Sequence, residues 1–255
     1  MNSRAKIYFF FIIIIASGAG CDNPAEQPGV VKNISVAGLL NADTLEQNIK
    51  VFSTSSIGDN RFHVITDASV RVSDSASWTE EFPLNASEDG IASYSSGKNT
   101  FSPGHSYFLE VKTKLGTAYG STRLPGDFNI TSHPETDTIY IPNNSFIEVE
   151  LKWTRSNGAF GYIIEQDNIR KFEYSGDTLS GGSSGSSFTF SNTIKIGVSK
   201  NLIGNTIINK TVITVIAFDK NYYDHHFNYS NSAGLNGAYG YFGSGVVKRV
   251  TFFIK

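Results

Sequence analysis

Tyr107-Phe108-Leu109-Glu110-Val111-Lys112 is the stretch that decides the fold class. Its odd positions, Tyr107, Leu109 and Val111, form one apolar face with a period of two. Successive side chains of a strand point to opposite faces, so the pattern predicts a strand packed on one side. Pro103-Gly104 before it and Gly116 after it supply turns. Similar short runs lie outward from it on both sides. Val31–Leu39, Ile49–Thr54, Phe62–Thr66, Ala68–Val72, Glu81–Leu84 and Ile91–Ser95 precede it, and Thr117–Leu124 follows. Eight short strands separated by turn residues predict a β-sandwich. Beyond the N-terminal leader no helical apolar period persists, and the best helix candidate is a short turn at Asn41–Gln47.

Leu124-Pro125-Gly126 reads as a domain boundary, after which a second series opens. Asp137–Ile141, Ile147–Trp153, Gly161–Gln166 and Ile169–Tyr174 begin it, and Phe188–Phe190, Thr193–Val198, Thr211–Phe218 and Val246–Ile254 complete it. Between them Ser180–Ser187 is a low-complexity loop. Val149-Glu150-Leu151-Lys152-Trp153 followed by Gly161-Tyr162-Ile163-Ile164-Glu165 resembles the B and C strands of a fibronectin type III domain. Val212–Asp219 resembles its F strand, and the resemblance implies that Trp153 is the buried core tryptophan. The expected fold is all-β, with two tandem β-sandwich domains. An immunoglobulin/transthyretin-like one covers residues 30–125 and a fibronectin type III-like one covers 126–255.

The N-terminus carries a different signal. Arg4 and Lys6 precede the apolar run Ile7–Ala16, and Ser17-Gly18-Ala19-Gly20 leads to Cys21. A charged region, a short apolar region and small residues make residues 1–20 a signal peptide, too short to span a bilayer of about 20 apolar residues. Cys21 at the cut point resembles the lipobox of bacterial lipoproteins, which implies an acylated thiol and a lipid anchor. Residues 21–29, with two prolines, read as a tether, and Asp22 and Glu26 resemble the acidic stretch of surface-exported Bacteroidota lipoproteins. Cys21 is the one cysteine, so disulfides within the chain and cysteine zinc sites are excluded, and the lipobox reading, which makes its thiol a thioether, removes it from thiol catalysis. With 23 acidic against 21 basic residues there is no basic footprint for nucleic acid. The 19 Phe and 12 Tyr suit an all-β surface protein.

Three segments together resemble a lipoprotein family of Bacteroidota that carries domain of unknown function 4249. They are Asp67–Asp74, Pro103–Val111 running into Gly116–Thr122, and the glycine-rich Asn236–Ser244. The resemblance implies an exported protein anchored to the outer membrane, with the leaflet open. It also implies a binding or accessory module working beside a TonB-dependent receptor, not an enzyme.

Asp219-Lys220-Asn221-Tyr222-Tyr223-Asp224-His225-His226-Phe227 holds the densest chemistry. His225 and His226 with Asp219 and Asp224 are the candidates for a metal-assisted hydrolase. Adjacent histidines on a strand point apart, so the favoured reading is a solvated aromatic loop with no metal and no cofactor. No nucleophile elbow occurs, and Gly237–Gly243 opens no helix for a phosphate. Tyr222, Tyr223, Tyr239, Tyr241 and Phe242 are candidate contacts for a sugar or peptide ligand, with core packing as the competing reading. A structural adhesin or spacer, the third reading, predicts no exposed aromatic pocket. Finally, Asp-Ser/Thr-apolar triplets resemble Bacteroidota O-glycosylation acceptors and mark Thr44, Ser75, Thr138 and Thr178.

Overall fold

In the computed structural model, residues 34–44, 46–53, 63–74, 78–88, 91–97, 101–172, 178–179, 185–200, 202–203 and 206–255 are described. The stretches expected to be signal peptide and tether, with Cys21, and also Ser75 and most of the expected Ser180–Ser187 loop, lie outside them. In chain order the first strands are β1 (Ile34–Asn41), β2 (Gln47–Ser53), β3 (His63–Val64), β4 (Ser69–Asp74), β5 (Thr79–Phe82), β6 (Leu84–Glu88) and β7 (Ile91–Ser96). There follow β8 (Ser106–Thr113), β9 (Gly116–Arg123), β10 (Thr136–Ile139), β11 (Ser145–Lys152), β12 (Gly161–Phe172), β13 (Thr178–Leu179) and β14 (Gly185–Thr189). The last are β15 (Thr193–Lys200), β16 (Leu202–Ile203), β17 (Thr206–Phe218), the helix α1 (Lys220–His226), β18 (Ser232–Ala233), β19 (Leu235–Asn236) and β20 (Tyr239–Ile254). Among the described residues no helix is long and apolar enough to cross a membrane.

The period of two decides the faces. Tyr107, Leu109 and Val111 of β8 are buried, as are Ile49 and Val51 of β2. The helical turn expected at Asn41–Gln47 is instead a strand connection closed by one side chain. Gln47 accepts from the backbone N–H of Asn41 at 2.8 Å and donates to the carbonyls of Asn41 and Thr44, both at 2.7 Å. A buried amide that completes the turn's backbone bonding removes the need for a helix there.

Among the described residues three sheets form the fold. The largest runs in the order β13-β12-β17-β20-β1-β2-β7-β6, a second in the order β19-β9-β8-β4-β5, and a third is the pair β11-β15. β9 lies against β20 and β5 against β7, so the second sheet covers the β1, β2 and β7 half of the large one. β15 lies against β17 and makes the other sandwich. There the sheets separate β11 and β15 from β12, β17 and β20, the division expected of immunoglobulin-like sandwiches. Trp153 is buried between them, 5.2 Å from the ring of Tyr162.

β20 joins the two halves. Tyr239 to Gly245 pairs in parallel with β1, while Gly245 to Phe253 pairs antiparallel with β17. The expected break at residue 126 therefore separates segments of sequence but not the large sheet. Ser232 to Ser244 belongs with the first half, where β19 also pairs with β9. The changeover falls at Gly245, which pairs with both Asn41 and Phe218. Near the start of the parallel stretch, Gly240 has a φ of +99° that favours glycine, and a Cβ there would stand 2.0 Å from the Val36 carbonyl oxygen. One cluster of buried apolar side chains runs through both sandwiches.

Candidate functional site

The segment after β17 is a helix, not the loop expected from the sequence. Asp219 is the reason: its carboxylate accepts from the Tyr222 backbone N–H at 3.0 Å and caps α1. A helix places residues four apart on one face, so the aromatic residues sort into two groups. Tyr222 meets His226 at 4.2 Å between ring centroids, and Tyr223 meets Phe227 at 5.4 Å in a stacked pair.

On the first face, Tyr241 of β20 stacks on His225 at 4.5 Å and meets Tyr222 edge-on at 6.0 Å. Burial raises the Tyr222 hydroxyl above the ordinary tyrosine range, helped by the charge of Glu165. Burial also raises Tyr241, with Tyr222 adding to it. His226 is lowered by burial and then by its neighbour His225. All three shifts favour the uncharged ring.

On the second face, Tyr223 packs on Phe160 at 4.5 Å and on Phe188 at 5.6 Å, and Phe188 packs on Phe190 at 4.6 Å. Phe218, at the end of β17, closes the group from the core side, 5.6 Å from Phe188. Its outer edge is open, with Phe190 63 % and Phe227 40 % exposed. Beside Phe190 opens a cleft of about 280 Å³, walled by Phe160 and Phe190 and rimmed by Arg155, Ser191 and Asn192. The Asn192 amide donates to the Trp153 carbonyl at 3.1 Å, which fixes one wall. The site is thus a platform of ring faces running from the core to solvent, next to a polar-edged cleft.

Of the residues singled out in the sequence, Tyr222, Tyr223 and Tyr241 come together here. Phe242 does not: it is fully buried between the two sheets, where it packs against the backbone of Gly38 and Gly120. A ligand cannot reach it, so that expectation is corrected to core packing. Tyr239 stands three residues before Phe242, opposite Ser35 at the start of β20, and is more than a third exposed. His225 and His226 lie within the ring cluster. Asp219 turns away to Thr122, and Asp224 pairs with Lys220 and Asn228. The four residues of the hydrolase reading are therefore not gathered, and no metal-holding group of three occurs among the described residues. Of the glycosylation candidates, Thr138 is exposed on β10. Thr44 is half-buried in the Gln47-closed turn, and Thr178 lies in β13. Sequence reasoning missed Phe160, Phe188, Phe190 and Phe218 as members of the site. The alternation Phe188-x-Phe190 was visible, but nothing in the sequence joined it to residues 218–227.

A family model described as domain of unknown function DUF4249 matches residues 24–249. The chain belongs to this family. No curated protein sequence matches this DUF4249 member. Solved structures similar to it include a chimeric titin Z1Z2-Z1Z2 tandem, at 12 % identity over 89 % of this chain and 98 % of that one, with a TM-score of 0.24. A second is titin A168–A169, at 10 % identity over 87 % and 96 % of the chains, with a TM-score of 0.22. A third is a DUF4785 family protein of Legionella pneumophila, at 10 % identity over 70 % and 51 %, with a TM-score of 0.25. At such scores the likenesses add nothing to the fold described above.

Proposed function

We propose that this protein is a lipid-anchored outer-membrane module that holds a partner through the ring platform around α1, the partner being a TonB-dependent receptor. The observation that carries the reading is the open edge of the ring cluster at Phe190 and Phe227. Single exposed aromatics, such as Tyr140 and Phe146 elsewhere on the surface, are ordinary. A contiguous group of rings reaching solvent is the pattern of a contact site, because covering it releases the water over its apolar faces. Uncharged His226, Tyr222 and Tyr241 on the neighbouring face suit the same role. Aromatic residues dominate such contacts because they present large, stiff faces with few rotamers to fix. The anchor reading is supported by the leader and by Cys21, the first residue of the tether. Under it, the thiol holds the protein at the bilayer and the tether supplies reach.

The test is co-purification from native membranes through a C-terminal tag, with Cys21→Ala and a Phe190→Ala/Phe227→Ala double variant in parallel. Recovery of an outer-membrane receptor with the parent protein, lost in the double variant, is the expected result. Cys21→Ala is expected to leave the membrane fraction. Equal recovery with and without the two rings would overturn the platform, and membrane retention of Cys21→Ala would overturn the anchor.

A further inference from the structure

The cleft beside Phe190, of about 280 Å³, opens between the β11–β12 and β14–β15 connections. Phe160 and Phe190 give it apolar walls, their rings 5.7 Å apart and edge-on. The polar side chains that line it are rich in hydrogens to donate. Arg155 is exposed, and its guanidinium makes no ion pair or hydrogen bond among the described residues. Tyr162 is only 4 % exposed; its hydroxyl oxygen accepts the Ser156 N–H at 2.9 Å, and its own hydrogen goes to no described group. A buried tyrosine hydroxyl ordinarily finds a partner for that hydrogen. The Asn192 amide gives one hydrogen to the Trp153 carbonyl at 3.1 Å and keeps a second. Ser191 Oγ accepts the Thr193 N–H at 3.3 Å, with its hydrogen undonated among the described residues. No Asp or Glu lines the cleft. The larger cleft at Arg123, of about 390 Å³, has no such imbalance, because Asp219 lines it and its Lys220 is paired with Asp224.

We propose that the cleft beside Phe190 is a carboxylate pocket, and that the partner held on the ring platform sets an acidic side chain in it, with an apolar neighbour lying on Phe190. The first clause stands on the cleft alone. The second deepens the ring-platform reading given above and rests on it. A guanidinium keeps its charge and only donates, so the lining lacks one thing, an acceptor that carries a negative charge. The planar fork of Arg155 matches the two oxygens of a carboxylate. The ring walls suit an apolar group beside that carboxylate. Charge complementarity also selects the occupant among side chains. A neutral or basic one would leave Arg155 unpaired as the platform is covered, which costs desolvation with nothing in return.

The probe for the pocket is hydrocinnamate, which joins a carboxylate to an apolar ring, with its uncharged amide as comparison. Both are titrated into the isotopically labelled full chain and followed by NMR at the side-chain amide of Asn192. The acid is expected to give a saturable shift in the millimolar range usual for a fragment of its size. The amide is expected to bind at least about tenfold more weakly, as for a lost hydrogen bond to a charged group. Arg155→Gln is expected to weaken the acid by the same factor, and it keeps the fold because the guanidinium it removes holds no described group. Equal affinity for acid and amide, an Arg155→Gln variant that binds the acid as the parent does, or no saturable shift at all would overturn the pocket. Co-purification from native membranes reads the second clause. Arg155→Glu puts a like charge where the acid would sit and is expected to lose the receptor that the parent recovers. A receptor retained by Arg155→Glu yet lost by the Phe190→Ala/Phe227→Ala variant would overturn the acidic contact and leave the platform standing. A receptor retained by both, or recovered with neither variant nor parent, would overturn the platform and the second clause with it, while the titration decides the pocket separately.

Discussion

Replacing Phe242 by Ala, alone and together with Gly38→Ala, separates a core ring from a contact ring. Phe242 is fully buried. A Cβ at Gly38 would meet its Cδ2 at 3.2 Å, while the next atom, Ile49 Cγ1, is at 3.4 Å. Deleting a buried Phe ring costs roughly 3–5 kcal/mol, a large share of the ~5–15 kcal/mol that holds a domain together. At about 2–4 °C per kcal/mol for a chain of this size, the melting point is expected to fall by roughly 6–20 °C. Gly38→Ala in the parent drives a methyl onto the ring and is expected to cost about 1–3 kcal/mol. With the ring gone, the same methyl meets only ordinary contacts and fills part of the void. The double variant is therefore expected to be more stable than the sum of the single losses by about 1–3 kcal/mol. Urea denaturation followed by circular dichroism gives all three values, provided the slopes agree. Additive losses, or a Phe242→Ala midpoint equal to the parent's, would refute the packing argument.

Three further outcomes follow from the same structure. Gln47→Leu removes the bonds that close the β1–β2 connection and is expected to lower stability by about 1–3 kcal/mol in urea denaturation. Thr122→Val leaves the Asp219 carboxyl and the Ser244 hydroxyl against a methyl, with an expected loss of about 1–3 kcal/mol in the same assay, whereas Thr122→Ser stays near the parent. The lowered affinity of His226 for protons means the unfolded chain binds more of them as pH drops through the ordinary histidine range. Stability is expected to fall there on acidification, and melting curves of His226→Gln should lack that part of the fall.

Most strands were legible because the period of two is local. Ala68–Val72 anticipates β4, Tyr107–Thr113 anticipates β8, and Ile147–Trp153 anticipates β11 to within a residue or two. The strands over Val149–Trp153, Gly161–Glu165 and Val212–Phe218 were legible for the same reason, and Trp153 is buried as expected. α1 was hidden by its length. Seven residues show too few turns for a helical period, and the one usable sign was Asp219 as a cap. The role of Gln47 was hidden because its three bonds to the backbone imitate what a helix would supply. The double membership of β20 was not legible at all. Parallel pairing with β1 joins residues some two hundred positions apart, and no local pattern announces it. The site was half legible for a related reason. Residues 222–241 are close in sequence, but Phe160, Phe188 and Phe190 reach them only through the packing of β12, β14 and β17.

A photocrosslinking side chain placed at Phe190, with the same group at Tyr140 as control, tests the ring platform most directly. Both positions are well exposed, at 63 % and 75 %, but only Phe190 belongs to the ring cluster. Irradiated in native membranes, the probe at Phe190 is expected to yield a discrete adduct with an outer-membrane protein, and the probe at Tyr140 none. Adducts at Tyr140 alone, or equal and indiscriminate adducts at both, would contradict the platform as the contact surface.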